Sequence, residues 1–177
     1  MQILAVSGSL RDKSSNTTLL RAMSRLAPDN IQIVLYQELD SLPHFNPDLD
    51  SDGNTPLSVA NLRRQIQSAN GVLISSPEYA HGVPGALKNA LDWPFSSGET
   101  VGKPFALINA SSRSHHAQEQ LAEILKTMAA NIVEEASITI PFFGKSLDEA
   151  EILANIELSS LLRSTIAKFV DSIEYAN

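Results

Sequence analysis

Ile3-Leu4-Ala5-Val6-Ser7, followed by Gly8-Ser9-Leu10-Arg11-Asp12-Lys13-Ser14-Ser15-Asn16, is the stretch on which the fold turns. Residues 3–7 form a nearly unbroken apolar run bounded by Ser-Gly, the pattern of a strand buried on both faces. Beyond the polar loop, Leu19, Leu20, Met23 and Leu26 recur at helical spacing until Pro28 ends them. Asn16 or Thr17 is placed to cap that helix. A buried strand leading through a polar loop into a helix is the opening of an α/β unit.

The same alternation continues outward from this stretch. Ile31–Tyr36 reads as the second strand, and a loop with Pro43, Pro47 and Pro56 follows. Pro56 can open a helix with Leu62, Ile66 and Ala69 on one face. Val72–Ser76 reads as a third buried strand, and Pro84 suits the first turn of a helix carrying Leu87, Ala90 and Leu91. Phe105–Ala110 is the expected fourth strand, with Ala117, Leu121, Ile124, Leu125 and Met128 marking the helix after it. Ile132–Ile140 is expected as the fifth strand, and Ile152, Ile156, Leu162, Ile166, Phe169 and Ile173 as one long closing helix. Five strands alternating with five helices specify an α/β fold, a parallel sheet covered on both faces. No repeat, low-complexity tract or long linker divides the chain, so residues 1–177 read as a single domain.

Composition narrows the function. Thirteen Lys+Arg against twenty Asp+Glu give a net charge of −7, which disfavours nucleic acid as a partner and an electrostatic hold on membranes. The chain has no Cys, which excludes thiol catalysis, disulfides and Cys-ligated metals and fits a reducing compartment. No apolar run approaches the ~20 residues of a membrane span, so membrane insertion is not expected and a cytoplasmic location is. The charge is uneven. Residues 1–28 hold Arg11, Lys13, Arg21 and Arg25 against Asp12 alone, a local +3 that leaves −10 on the rest.

In parallel sheets of this kind ligands bind outside the carboxyl ends of the strands. The unusual loops sit at those ends: 8–16 after the first strand, Pro77–Gly85 after the third, and Ser111-Ser112-Arg113-Ser114-His115-His116 after the fourth. The first loop combines many hydroxyls, the Asn16 amide and the fixed charge of Arg11 with a helix start, whose free N–H groups favour an anion. That donor density suits a phosphate monoester. An ordinary Ser/Asn-rich turn with a helix cap has the same composition. Neither Gly-x-x-x-x-Gly-Lys-Ser/Thr nor Gly-x-Gly-x-x-Gly is present, which argues against triphosphate hydrolysis and a dinucleotide-type domain.

Gly8-Ser9-Leu10-Arg11 with Ser14 and Asn16, together with Ser76-Pro77-Glu78-Tyr79 and the run Gly85-Ala86-Leu87-Lys88-Asn89-Ala90-Leu91-Asp92-Trp93, resembles the NADPH-dependent FMN reductase family. This flavodoxin-like group includes quinone, azo-dye and chromate reductases. The resemblance implies a three-layer sandwich with strand order 2-1-3-4-5. It implies FMN as cofactor, NADPH or NADH as hydride donor, a small-molecule electron acceptor, and a homodimer or homotetramer. Carried over residue by residue, it makes Ser9, Arg11, Ser14 and Asn16 phosphate ligands, with Ser15 beside them. Pro77, Glu78, Tyr79 and His81 would lie along the flavin ring, mostly through backbone amides, and Ser111 would join them from the fourth-strand loop. The catalytic chemistry would belong to flavin N5, with no triad or nucleophile required and no acid or base assigned, although His81 near the ring could supply a proton. Two departures stand out: Ala80 replaces the Asn frequent after Glu-Tyr, and Ser111–Ser114 replaces a Gly-rich stretch, so that Arg113 could meet a nicotinamide dinucleotide phosphate.

Several of these residues also have ordinary readings. Tyr79 could cover the sheet end, and Glu78 could cap the Pro84 helix or face solvent. His81, His115, His116 and His44 lack metal-ligand spacing, so loop histidines are expected and no metal. Trp93 and Phe95 read as core or subunit packing. Glu134, Glu135, Asp148, Glu149 and Glu151 read as solvated surface. Against the enzyme stand two alternatives: a flavodoxin-type electron carrier with no substrate of its own, and a flavin-free anion-binding module. Tyr79 is the one aromatic in the third- and fourth-strand loops, which leaves a ring face open to a nicotinamide and favours the enzyme.

Overall fold

Side-chain alternation on three central strands sets the architecture. The computed structural model describes residues 1–51, 53–140 and 148–175. Strand β1 (Gln2–Ser7) sends Ile3 and Ala5 into one apolar core and Leu4 and Val6 into another. Strands β3 (Gly71–Ser75) and β4 (Pro104–Asn109) divide their side chains the same way, with Leu73, Ala106 and Ile108 on the first side and Val72, Ile74, Phe105 and Leu107 on the second.

The first core is closed by α1 (Ser15–Leu26), α5 (Glu149–Ala154) and α6 (Ile156–Tyr175), through Leu19, Leu20, Met23, Ile152, Leu162 and Phe169. The second is closed by α2 (Leu57–Ser68), α3 (Gly85–Phe95) and α4 (His115–Thr127), through Val59, Leu62, Leu87, Trp93, Leu121 and Leu125. Each such side chain, fully buried, is worth ~1.5–3 kcal/mol.

Strand β2 (Gln32–Leu35) pairs with β1, and β5 (Asn131–Ile132) and β6 (Ile138–Thr139) both pair with β4. All pairings are parallel and the order is β2-β1-β3-β4-β5. The fold is the expected flavodoxin-like three-layer α/β sandwich.

Four local expectations are corrected. The fifth strand is not continuous over 132–140. Glu134–Ala136 forms a 3-10 turn between β5 and β6, because two consecutive carboxylates cannot enter a strand covered on both faces. Ser137 fills the gap in the ladder, its hydroxyl accepting from Leu107 N–H (3.1 Å) and donating to Val133 C=O (2.9 Å).

The closing helix is two helices. Asn155 is extended (ψ 108°) and its Oδ1 accepts from Leu158 N–H at 3.0 Å, which caps α6. The acidic residues before it are structural as well as solvated: Asp148 and Glu151 form a capping box, and Glu149 lies 3.7 Å from Arg25. Finally, α1 is capped by Ser14, not by Asn16 or Thr17, and Pro84 stands at the cap position of α3, not inside its first turn.

Trp93 is in the core and its Nε1–H donates to Pro43 C=O (3.0 Å), while Phe95 is exposed. Arg63 pins the loop after β2 by donating to Asp50 (2.7 Å) and to Trp93 C=O. The Ser96 hydroxyl, then Arg63, holds the Asp50 carboxyl below its ordinary range. Among the described residues no helix is long and apolar enough to cross a membrane.

Candidate functional site

The carboxyl ends of β1 and β3 are tied together, with Gly8 N–H donating to Ser75 C=O at 2.8 Å. From there the 8–16 loop folds on its own hydroxyls. Ser7 Oγ accepts from Ser9 N–H (3.3 Å) and pairs with Thr17 Oγ1 (2.8 Å), and Ser9 Oγ accepts from Arg11 N–H (3.4 Å). Ser14 Oγ accepts from Thr17 N–H at 3.4 Å, the α1 cap.

Ser9, Ser14 and Asn16 are buried, whereas Arg11 projects into solvent. Asn16 reaches across to β3, its Oδ1 accepting from the Ser75 hydroxyl at 2.9 Å. That bond fixes the amide and leaves Nδ2 without a partner among the described residues. The N–H groups of Ser15 and Asn16, in the first turn of α1, have no intrahelical acceptor. The Arg11 guanidinium likewise has no partner among the described residues. One loop thus presents a cation, an amide donor and two main-chain donors, a set that suits a doubly charged phosphate.

The loop after β3 makes a tight turn. Tyr79 and Gly82 exchange both main-chain hydrogen bonds (3.1 and 3.0 Å), and the two residues between them are left-handed, Ala80 at φ 49° and His81 at φ 58°. This is the geometry of a type I′ turn, which prefers Asn and Gly. The Ala at position 80 therefore costs backbone energy where Asn would cost less, ~1–2 kcal/mol for a fully left-handed non-glycine residue. Ala80→Asn is expected to raise Tm by ~2–4 °C, read by thermal unfolding. No rise would mean that the turn relaxes elsewhere.

Glu78 does not cap the Pro84 helix. Its Oε2 accepts from Ala117 N–H (2.9 Å) in the first turn of α4, and its Oε1 lies 3.3 Å from His81 Nδ1. The Ala117 N–H holds the Glu78 carboxyl below its ordinary value, against partial desolvation. Gln120 adds a second tie to α4, donating to His81 C=O (3.0 Å) and accepting from Val83 N–H (3.4 Å). Tyr79 is half exposed.

The loop after β4 is a compact turn. Ser111 N–H donates to Asn109 Oδ1 (3.0 Å), and Ser111 Oγ accepts from Arg113 N–H (3.2 Å). The His81 ring meets His116 edge-on at 4.6 Å between centroids, and His116 meets His115 at 4.0 Å. His44 takes no part in these contacts, and among the described residues no three or more His, Asp or Glu side chains are grouped as metal ligands would be.

Ser9, Ser14, Ser15 and Asn16 are therefore brought together with Arg11 on one loop, while Pro77, Glu78, Tyr79 and His81 lie on the next, coupled through α4 to the loop of Ser111. Sequence reasoning missed the residues that hold these loops. Ser75 and Asn109 are polar side chains at the ends of buried strands, a readable signal. Gln120 is an ordinary helix-surface glutamine by sequence, and nothing local marks it.

A model of the NADPH-dependent FMN reductase family matches residues 1–145. The chain is similar to a quinone reductase of Escherichia coli (strain K12), 35% identical over 114 residues that cover 63% of this chain and 60% of that protein. It is similar to a 2-hydroxy-1,4-benzoquinone reductase of Burkholderia sp, 40% identical over 114 residues that cover 63% of this chain and 61% of that protein. Matched segments thus span about 60% of the length of these relatives. Among solved structures, the flavoenzyme NAD(P)H:(acceptor) oxidoreductase FerB from Paracoccus denitrificans superposes with a TM-score of 0.86 at 29% identity, covering 98% of this chain and 97% of that one.

Proposed function

The chain belongs to the NADPH-dependent FMN reductase family, and from that premise we propose that it is an FMN-dependent NAD(P)H oxidoreductase acting on a small-molecule electron acceptor. The acceptor class we favour is a quinone, in line with the names of the reductases it resembles; the family resemblance adds free flavins, azo compounds and chromate as alternatives. Bound FMN would supply the redox chemistry, taking hydride from NADPH or NADH at N5 and passing electrons on in a ping-pong sequence.

The observation that carries the proposal is the donor set of the first loop: the Arg11 guanidinium, Asn16 Nδ2 and the N–H groups of Ser15 and Asn16, all without partners among the described residues. In this reading they hold the FMN phosphate, with Ser9 and Ser14 shaping the loop through their hydroxyls. The turn of Pro77, Glu78, Tyr79 and His81 would lie along the flavin ring, with Ser111 facing it from the β4 loop. Glu78 would serve there through its backbone, since its carboxylate is engaged by Ala117 and His81. N–H groups near the ring would favour negative charge on it, an electrostatic role. The same reading makes residues 1–177 one flavin-binding domain, cytoplasmic, and assembled as a homodimer or homotetramer that covers exposed Phe95.

The test is a visible spectrum. The purified protein mixed with FMN should retain a flavin band through gel filtration, lose it on anaerobic addition of NADPH or NADH, and regain it with a benzoquinone. A protein that cannot be loaded with FMN would sink the proposal. One that loads but resists bleaching by both nicotinamides would be an electron carrier instead.

A further inference from the structure

Three imidazoles gather around one carboxylate beside the β3 loop, and the proposed function uses none of their side chains. Glu78 stands at the centre of the group. Its Oε2 accepts from Ala117 N–H at 2.9 Å, and its Oε1 lies 3.3 Å from His81 Nδ1. The His116 ring meets His81 edge-on at 4.6 Å, and His115 meets His116 at 4.0 Å. Ala117 N–H first, then His116, His81 and His115, hold the Glu78 carboxyl below its ordinary value, against partial desolvation.

His81 differs from the other two histidines in how it is held. It occupies the second left-handed position of the Tyr79–Gly82 turn (φ 58°), where glycine is favoured. Gln120 Nε2 donates to its C=O at 3.0 Å, which ties its backbone to α4. The side chain nevertheless stays 77% exposed, while Glu78 behind it is 11% exposed. With Nδ1 turned to the carboxylate, Nε2 has no hydrogen-bond partner among the described residues. A shielded carboxylate behind one ring nitrogen and solvent at the other is the arrangement of a general acid, the anion offsetting the imidazolium's charge.

We propose that His81 is the catalytic acid of quinone reduction, giving its Nε2 proton to a quinone oxygen, with Glu78 as its positioning residue. The inference rests on the oxidoreductase reading above. A quinone becomes a hydroquinone by gaining one hydride and one proton, so the hydride alone leaves one oxygen charged. Reduced FMN supplies the hydride to one oxygen and is reoxidised as the quinone is reduced. At the other oxygen the Nε2–H bond breaks as the new O–H bond forms, and the neutral imidazole regains its proton from water. Tyr79, on the same turn, carries the competing acidic proton, but its hydroxyl has no partner among the described residues to hold it in place.

The experiment follows reoxidation of the photoreduced holoenzyme by stopped flow, with benzoquinone and with ferricyanide, in high salt that screens charge steering. Ferricyanide takes electrons alone and needs no proton. His81→Asn keeps a residue that tolerates the left-handed turn but has no proton to deliver. It should slow reoxidation by benzoquinone on the order of 100-fold, as loss of a general acid does, and leave the ferricyanide rate unchanged. Glu78→Gln should show part of the same selective loss. A second measurement needs no variant: benzohydroquinone titrated into the oxidised holoprotein should shift the nitrogen-15 signal of His81 Nε2. Equal benzoquinone rates in the parent and His81→Asn would overturn the proposal. So would an equal loss with both acceptors, a selective loss in Tyr79→Phe and none in His81→Asn, or an Nε2 signal that hydroquinone leaves unmoved. A parent protein that nicotinamide bleaches and benzoquinone restores keeps the oxidoreductase reading whichever way His81 behaves, so the two fail separately.

Discussion

Arg11→Ala is expected to weaken FMN binding about 10–100-fold, the range set by losing one charge-assisted hydrogen bond to a phosphate. The fold should scarcely notice. The Arg11 side chain is exposed and makes no bond within the described residues, and substitutions of that kind stay within ~0.5 kcal/mol, or roughly 1–2 °C in Tm. Ser14→Ala is the informative contrast, because the Ser14 hydroxyl caps α1 and its loss should lower stability and FMN affinity together. Arg11→Lys should recover part of the affinity, the charge without the planar fork. Flavin-fluorescence quenching gives the affinities and thermal unfolding the stabilities. An Arg11→Ala protein that binds FMN as tightly as the parent would place the phosphate elsewhere.

Arg11 also sharpens the meaning of the charge. A net −7 alone excludes polyanionic partners and proposes nothing. Resolved by position, Arg11 and Arg21 lie in the basic first 28 residues, and among the described residues both guanidinium groups lack the partners that most other arginines have. A locally basic corner on an acidic protein suits one small anion, and the acidic remainder repels large ones.

Much of the fold was legible because it follows from side-chain period. The runs in β1, β3 and β4 are buried on both faces, and the apolar stripes of α1 through α4 need only helical spacing to declare themselves. What escaped depended on competition or distance. Asn155 interrupts an apolar stripe that continues on both sides of it, so period alone joins α5 to α6. The 132–140 run alternates well enough for a strand, but Glu134 and Glu135 would be carried into a covered sheet.

The site was legible as a set of loops and not as a set of bonds. Ser9, Arg11, Ser14 and Asn16 fall in one short stretch of sequence, so their shared place at the end of β1 and the start of α1 is readable without the structure. The partner of Glu78 was not found, since Ala117 is 39 residues away and adjacent only once β3 and β4 pair. Ala80 shows the reverse case: the sequence flags it as a departure, and the left-handed turn explains why Asn suits that position.

Gly8→Ala is expected to damage both the fold and the site, and the geometry says why. A Cβ at Gly8 would stand 2.7 Å from Ser76 Oγ, 2.9 Å from Leu87 Cδ2 and 3.1 Å from Ser76 Cβ. Neither neighbour has free room, because Leu87 is fully buried and Ser76 is 7% exposed. Overpacking of this kind costs ~1–3 kcal/mol, or about 2–12 °C in Tm for a chain of this size. The strain is relieved most easily by moving the 8–16 loop, since its far side faces solvent. Ser9 and Arg11 would then leave the phosphate position, with FMN affinity lower on the order of tenfold or more. Gly71→Ala separates the two effects. Its Cβ would meet Ile173 Cδ1 and Phe169 Cζ, both at 2.8 Å, but Gly71 begins β3 at the opposite end of the sheet from the loops. It should lower Tm comparably and leave FMN affinity as it was. Adding Ser76→Gly to Gly8→Ala removes two of the three close contacts and should restore part of both losses. If Gly71→Ala weakened FMN binding as much as Gly8→Ala, global destabilisation would explain the loss, and the close packing at Gly8 would have no special part in shaping the phosphate loop.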